Sequence, residues 1–199
     1  IAPDERRRQR REQLLDAGLR LFGSSGFHAI GVREVCAEAR LTERYFYESF
    51  RNREALFLAV YSSALERIQT AVMQAVLDAS EDPRAMARAG QRAFLESLRA
   101  DPNLARVLFI EALSVSAEVS RQSRLGMQGF AEMVAALLLN LFPGLSTRGV
   151  EPALLADGLI GSTVHIVMHW ASDDFKTPLE TILDHCVLFY DALIADAER

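Results

Sequence analysis

Three groups of side chains in this 199-residue chain have the types and spacings to do chemistry. The first is Thr42, Glu43, Arg44, Tyr45 and Tyr47. At the start and on the outward face of a short helix, these residues can reach a DNA duplex. An arginine takes guanine O6 and N7 in bidentate fashion, a glutamate accepts from cytosine N4, and a tyrosine stacks on sugar or donates to phosphate. The bland reading of any one of them is a solvated or half-packed surface residue, so the argument rests on the whole run in order. The second group is Arg6, Arg7, Arg8, Arg10 and Arg11. Five cations in the first turns of a helix oppose its macrodipole, at about 0.3–1 kcal/mol each when unscreened. Contact with backbone phosphate, or an arm inserted in a minor groove, accounts for them; a solubilising end competes with that reading.

The third group is His165 and His169, whose i, i+4 spacing can chelate zinc. No HExxH motif and no cysteine cluster accompanies them, so they read as packing, dimer or ligand contacts, and no metal is assigned. A metal-dependent helical enzyme using this pair with Glu111 or Asp173 is the catalytic alternative. A helical ligand-binding or adaptor module without specific DNA binding is the other. The sequence contains no G-x-S-x-G, no G-x-x-x-x-G-K-[ST] and no C-x-x-C. The chain is therefore expected not to be an enzyme and to need no cofactor.

Helices must position all of these groups, and the apolar periodicity supplies them. From Arg6 to Phe22, Leu14, Ala17, Gly18, Leu21 and Phe22 fall on one face. Pro3, Asp4 and Glu5 suit a helix start, and the Gly23 to Gly26 stretch predicts a stop. A second helix from about Val32 buries Val32, Val35, Cys36 and Ala39. The third runs from Thr42, its expected N-cap, to about Glu48, with Phe46 and Phe50 inward. A fourth begins at Asn52 or Arg53 and ends near Ala79. Downstream, helices are predicted over about 84–100, 103–115, 117–142, 151–172 and 178–197, giving an all-α chain of about nine helices. No Pro/Gly/Ser-rich linker separates the two halves, so the fourth helix should join them rigidly.

Charge supports this division. Lys+Arg number 22 and Asp+Glu 27, a net charge of -5. Residues 1–53 nonetheless hold 11 arginines against 8 acids, and residues 54–199 hold 11 basic against 19 acidic residues. A basic head on an acidic body suits a protein that offers one end to phosphate. Cys36 and Cys186 lie far apart in apolar patterns and should be buried and reduced. The most apolar long stretch, 153–171, is interrupted by Asp157, His165 and His169, which argues against a membrane span. With charge from Asp4 onward and no apolar segment before it, no signal peptide is expected and the protein should be cytoplasmic. The first residue is Ile1 rather than methionine, so an initial segment is expected to be missing.

Residues 10–61 resemble the DNA-binding domain of TetR-type transcriptional regulators. The resemblance is carried by Gly26-Phe27 after the first helix, by VREVCAEA at 32–39, by Phe46-Tyr47-Glu48-Ser49-Phe50, and by Asn52-Arg53-Glu54-Ala55-Leu56. It implies that Thr42 to Tyr45 and Tyr47 meet DNA, with Arg33 and Arg53 on flanking phosphates. Three positions depart from the family pattern. Arg40 replaces the turn glycine, Gly31 replaces a capping threonine, and Tyr45 stands where a small residue is common. If residue 40 needs positive φ, an arginine there costs roughly 1–2 kcal/mol.

The resemblance divides the chain into a helix-turn-helix DNA-binding domain at 1–53 and a helical effector-binding and dimerisation domain at 54–199. It implies a homodimer on a pseudo-palindromic operator, most often a repressor that a small-molecule effector releases. The 151–172 segment is apolar around nearly its whole circumference, as for a helix buried on both sides. Gly158, Gly161 and Ser162 allow close approach, and the last helix is its natural partner in a four-helix dimer seam. Phe94, Phe109, Met127, Phe130, His165, His169 and Trp170 are the candidates for an effector cavity.

Overall fold

The computed structural model describes residues 3–198, without the side chains of residue 3 and of 146–148. Among the described residues there are nine α-helices and no strand. In order they are α1 (Pro3–Ser25), α2 (Val32–Ala39), α3 (Glu43–Ser49), α4 (Arg53–Asp78), α5 (Pro83–Ala100), α6 (Pro102–Phe109), α7 (Ala117–Leu141), α8 (Pro152–Ser172) and α9 (Leu179–Ala197). Single 3₁₀ stretches lie at Phe27–Ala29, Glu111–Leu113 and Pro143–Arg148. The helix predicted over 103–115 is thus shorter: it stops at Phe109 and continues as a 3₁₀ turn. The 3₁₀ segment after α7 was not expected.

The chain forms two compact units, one of residues up to Glu66 with Asp101–Ser123, the other of Arg67–Ala100 with residues from Arg124 on. In the first, Leu14, Ala17, Phe22, Phe27, Val35, Phe46, Phe50, Leu56 and Phe57 make the core. Phe22, Phe27 and Phe57 meet pairwise with centroids 5.5 Å apart. Helix α6 lies against α1 in the same unit. Asp101 caps α6 by accepting from Asn103 N at 3.2 Å, with Pro102 following in the first turn, where its missing N–H costs nothing.

The stop expected over Gly23 to Gly26 is where α1 ends: the helix runs to Ser25 and Gly26, with φ 83°, terminates it. Gly23 serves a different purpose. A Cβ there would lie 2.3 Å from Asn103 Cβ and 2.7 Å from Asn103 Cα, so its bare backbone lets α1 and α6 touch. Gly26 adopts a conformation that side chains rarely tolerate, and the chain turns there into the Phe27–Ala29 segment.

In the second unit α9 packs on α5 and α8. Leu138, Leu145 and Leu159 form one cluster, with Tyr190 and Leu193 against it. Ala131, Ala135, Ala156 and Ile160 form another, with half-buried Met127, Phe130, Val134 and Val164 around it. Along the α5–α9 seam, Arg84 pairs with Glu198 at 2.9 Å, Arg88 with Asp184 at 2.7 Å, and Arg92 with Glu180 at 2.5 Å. No helix is long and apolar enough to cross a membrane among the described residues.

Candidate nucleic-acid interface

Helix α3 is only seven residues long, too short to hold itself together in water, so tertiary packing must fix it. Two inward aromatics do this. Phe46 is fully buried and Phe50 nearly so, with their rings 5.9 Å apart. Burying both also turns the intervening side chains outward. Thr42, Glu43, Arg44 and Tyr47 are exposed and Tyr45 is half-buried. Tyr47 keeps 57% of its surface accessible, far more than a packing role would leave. Thr42 is the backbone N-cap, yet its hydroxyl makes no capping bond.

The turn between α2 and α3 sets the angle at which that face is presented. Arg40 takes the left-handed conformation, φ 55° and ψ 40°. Leu41 N donates to Cys36 O at 2.9 Å and Arg40 N to Ala37 O at 3.1 Å, closing the helix C-terminus. The family's glycine position therefore does need positive φ here, and arginine bears the strain. At the other end of α2, Gly31 offers no hydroxyl to cap the helix, and the Glu34 carboxylate makes only the reciprocal bond, Gly31 N donating to its Oε2 at 2.9 Å. Beneath this pair of helices Cys36 is buried, and burial, with the Glu43 carboxylate second, pushes its thiol up.

The charged side chains on this face form pairs. Arg33 Nε lies 3.3 Å from Glu43 Oε1, and Arg44 Nε lies 3.0 Å from Glu48 Oε1. Both arginine side chains are more than four-fifths exposed, so these pairs are weak and exchangeable. Arg53, expected on a flanking phosphate, also has contacts within the protein. It is half-buried, its Nη1 donates to Phe27 O at 3.2 Å and also to Ile30 O, and its guanidinium lies 4.8 Å from the Phe27 ring centroid. It locks the segment that leads into α2.

The arginine cluster at the start of α1 also has a structural cause that periodicity could not show. Arg7 Nη2 donates to Glu48 O at 3.4 Å and Arg11 Nη1 to Ser49 O at 3.3 Å. These carbonyls are the open C-terminal end of α3, where the macrodipole is negative and cations are favoured. Arg11 stacks on Phe50 with 4.4 Å to its centroid, and Arg10 on Tyr45 with 4.3 Å. The cations that strain the start of α1 thereby brace the end of α3.

A second brace was also missed from sequence. Glu111, 8% exposed, accepts from Phe27 N at 2.9 Å through Oε2, and Arg106 Nε reaches its Oε1 at 3.4 Å. His28 Nε2 lies 3.0 Å from Ser114 O, and Arg106 Nη1 donates to Ser24 O at 3.4 Å. An acid between apolar residues could have signalled this, but its partner is 84 positions away in the chain. The Glu111 carboxylate, named in the catalytic alternative, is thus committed to the Phe27 turn.

The effector candidates fall in both units. Phe109 belongs to the first unit and is buried. In the second unit Phe94 and Trp170 are buried, Met127 and Phe130 are half-buried, and His165 and His169 are exposed. Trp170 Nε1 donates to Thr177 O at 2.7 Å and its ring meets Phe175 edge-on, so it closes the end of α8. His165 and His169 meet edge-on at 4.8 Å, and no group of three or more metal-ligating side chains occurs among the described residues. Sequence reasoning passed over polar groups on three helices: buried Gln91 of α5 and Thr163 of α8, and half-buried Tyr190 of α9. Gln91 Oε1 lacks a hydrogen-bond partner among the described residues. Burial pushes the Tyr190 phenol up to about 12, with Thr163 and Gln91 as its polar neighbours.

Comparison with known proteins agrees with this geometry. Residues 14–60 match the family model of bacterial regulatory proteins, tetR family. The chain is 26% identical over 183 residues to the HTH-type transcriptional activator FasR of Mycolicibacterium smegmatis, covering 92% of this chain and 82% of that one. Its fold is similar to the fatty acid degradation regulator FadR from Bacillus halodurans, with TM-score 0.81 and 18% identity, covering 96% and 95% of the two chains. It is also similar to FadR from Bacillus subtilis, solved in complex with stearoyl-CoA, with TM-score 0.77 and 16% identity over 90% and 96%.

Proposed function

We propose that this chain, whose residues 14–60 match the tetR family of bacterial regulatory proteins, is a homodimeric, cytoplasmic transcriptional repressor that binds a pseudo-palindromic operator and leaves it when a fatty acyl-CoA is bound. The observation that carries the DNA-reading part is the face of α3, where two buried phenylalanines hold Thr42, Glu43, Arg44 and Tyr47 in solvent. Glu43, Arg44 and Tyr47 face base edges, with Thr42 and Tyr45 beside them. Arg33 supplies a flanking phosphate contact. Arg53 contributes mainly by fixing the turn before α2. In this reading residues 1–53 are the DNA-binding domain and 54–199 the effector-binding and dimerisation domain.

Dimerisation through α8 and α9 is supported by exposed apolar side chains on them: Leu154 at 70%, Leu188 at 62% and Phe189 at 46%. A two-fold dimer sets its two α3 helices about 34 Å apart, one turn of duplex, which requires a symmetric operator. The acyl-CoA class is supported by the stearoyl-CoA bound to the structurally similar Bacillus subtilis protein. Half-buried Met127, Phe130, Val134 and Val164 around a layer of alanines offer apolar contact that can open for an acyl chain. Gln91, Thr163 and Tyr190 are the place for a polar group of the effector. An effector that prefers one conformation of the body lowers operator affinity by the free energy of that preference.

The test is a gel-shift titration with DNA flanking the protein's own gene, with and without stearoyl-CoA, on protein whose mass in solution is measured. A dimer released from DNA by micromolar acyl-CoA is expected. A monomer, or operator binding indifferent to acyl-CoA, contradicts the corresponding part.

A further inference from the structure

Beside the base-reading face lies a hollow of about 390 Å³, lined by Arg6, Arg10, Arg44, Tyr45 and Glu48. It joins the first turns of α1 to the outward side of α3. Three guanidinium groups and a phenol face it against one carboxylate. That carboxylate sits between two of the cations: Glu48 Oε1 is 3.0 Å from Arg44 Nε, and Glu48 Oε2 is 3.8 Å from Arg10 Nη2. Arg10 is held in place by stacking on Tyr45, 4.3 Å from its ring centroid, and its side chain is only 25% exposed. The backbone below is tied by Arg7 to Glu48 O.

Resting on the DNA-binding reading above, we propose that this hollow seats a phosphodiester of the DNA backbone and that Glu48 is its built-in competitor. The chemistry matches on both counts. A phosphodiester carries one negative charge and two acceptor oxygens, as a carboxylate does, and arginine forks take either in the same geometry. Without Glu48 the seat would hold three cations with no counter-charge, attractive to any polyanion. With it, Arg10 and Arg44 are engaged until a duplex presents a phosphate at the right place. Arg44 is also the candidate base reader, so its release from Glu48 couples phosphate seating to base contact. Non-specific binding is thereby restrained more than operator binding, where base contacts supply additional free energy.

Duplex affinity of Glu48→Gln, Arg10→Ala and the double variant tests the proposal, measured by anisotropy on random duplex and on operator at several salt concentrations. Thermal melts confirm that each variant is folded; both positions are solvent-accessible. Glu48→Gln should bind random duplex about two- to fivefold more tightly, the worth of an exposed ion pair. Arg10→Ala should bind both duplexes more weakly, with the salt slope reduced by about 1. In the Arg10→Ala background the gain from Glu48→Gln should shrink by at least half. A full gain in that background would mean only a lost negative charge near DNA, and would overturn the seat. So would no gain in either background, or no binding of random duplex at low salt. Wild-type protein that binds random duplex as tightly as operator would contradict the regulator reading, while the comparison on random duplex would still decide the seat.

Discussion

Replacing Glu111 by Ala should destabilise the first unit more than any surface change of similar size. Its carboxylate is nearly sealed from water and accepts the Phe27 N–H at 2.9 Å, with Arg106 at 3.4 Å on the other oxygen. Gly26 lies against the same carboxylate, 3.3 Å from where its Cβ would stand. Alanine removes a charge-assisted hydrogen bond, worth about 1.5–3 kcal/mol, and strands the Phe27 N–H, whose loss overlaps with that figure. Adding the void left by the side chain, the expected cost is about 2–4 kcal/mol. For a chain of this size, each kcal/mol lowers Tm by about 2–4 °C. A scanning-calorimetry comparison at fixed protein concentration should therefore show a fall of about 4–16 °C. Glu111→Gln keeps the shape and one acceptor, and should cost about half as much. Tm within about 1 °C of wild type for the alanine variant would refute the reasoning. An equal cost for Gln and Ala would place the effect in the charge rather than in the bond to Phe27.

Gly23→Ala should be destabilising by about 1–3 kcal/mol, since a methyl there meets Asn103 backbone and Cβ at under 3 Å; Gly23→Ala melting like wild type would contradict the α1–α6 contact. Arg92 first, through its hydrogen bond, holds the Glu180 carboxyl below the usual range, and Arg84 does the same for Glu198. Folded-state pKa values lower than 4.5 give stability that is present above about pH 4.5 and lost as pH falls through the depressed values. Glu180→Gln should accordingly melt below wild type at neutral pH, the difference shrinking as pH falls through the depressed carboxyl range, and a constant difference would contradict this. Burial pushes the Cys186 thiol up to about 11. At pH 8 only about one in a thousand such thiols is ionised, so Cys186 should react with a thiol reagent only on unfolding, with mass spectrometry as the readout.

Much of the helical plan was legible because one-sided apolar spacing is a local signal. Phe46 and Phe50, four apart, placed α3 and its outward face before any coordinates, and Arg40 could be flagged at a position needing positive φ. What sequence hid depends on partners distant in the chain. Gly23 reads as part of the stop that ends α1, but its contact with Asn103, eighty positions on, leaves no local signal. The arginines of α1 look like free cations until the α3 carbonyls are beside them. Arg53, placed on phosphate by family pattern, is bonded to the carbonyls of Phe27 and Ile30. For the effector, aromatic and methionine spacing could not separate cavity from core: Trp170 is a helix-end plug and His165 faces solvent. The polar trio of Gln91, Thr163 and Tyr190 comes from three helices and has no motif.

The most direct test of the central claim is the ratio of Kd for the operator and for a scrambled duplex of equal length, measured at one physiological salt concentration. The account predicts a ratio of about a thousand or more for wild type. Arg44→Ala, in a melt-verified fold, should lose about 1–3 kcal/mol of that discrimination. A ratio near one for the wild-type protein, or an Arg44→Ala variant that discriminates as well as wild type, would contradict it.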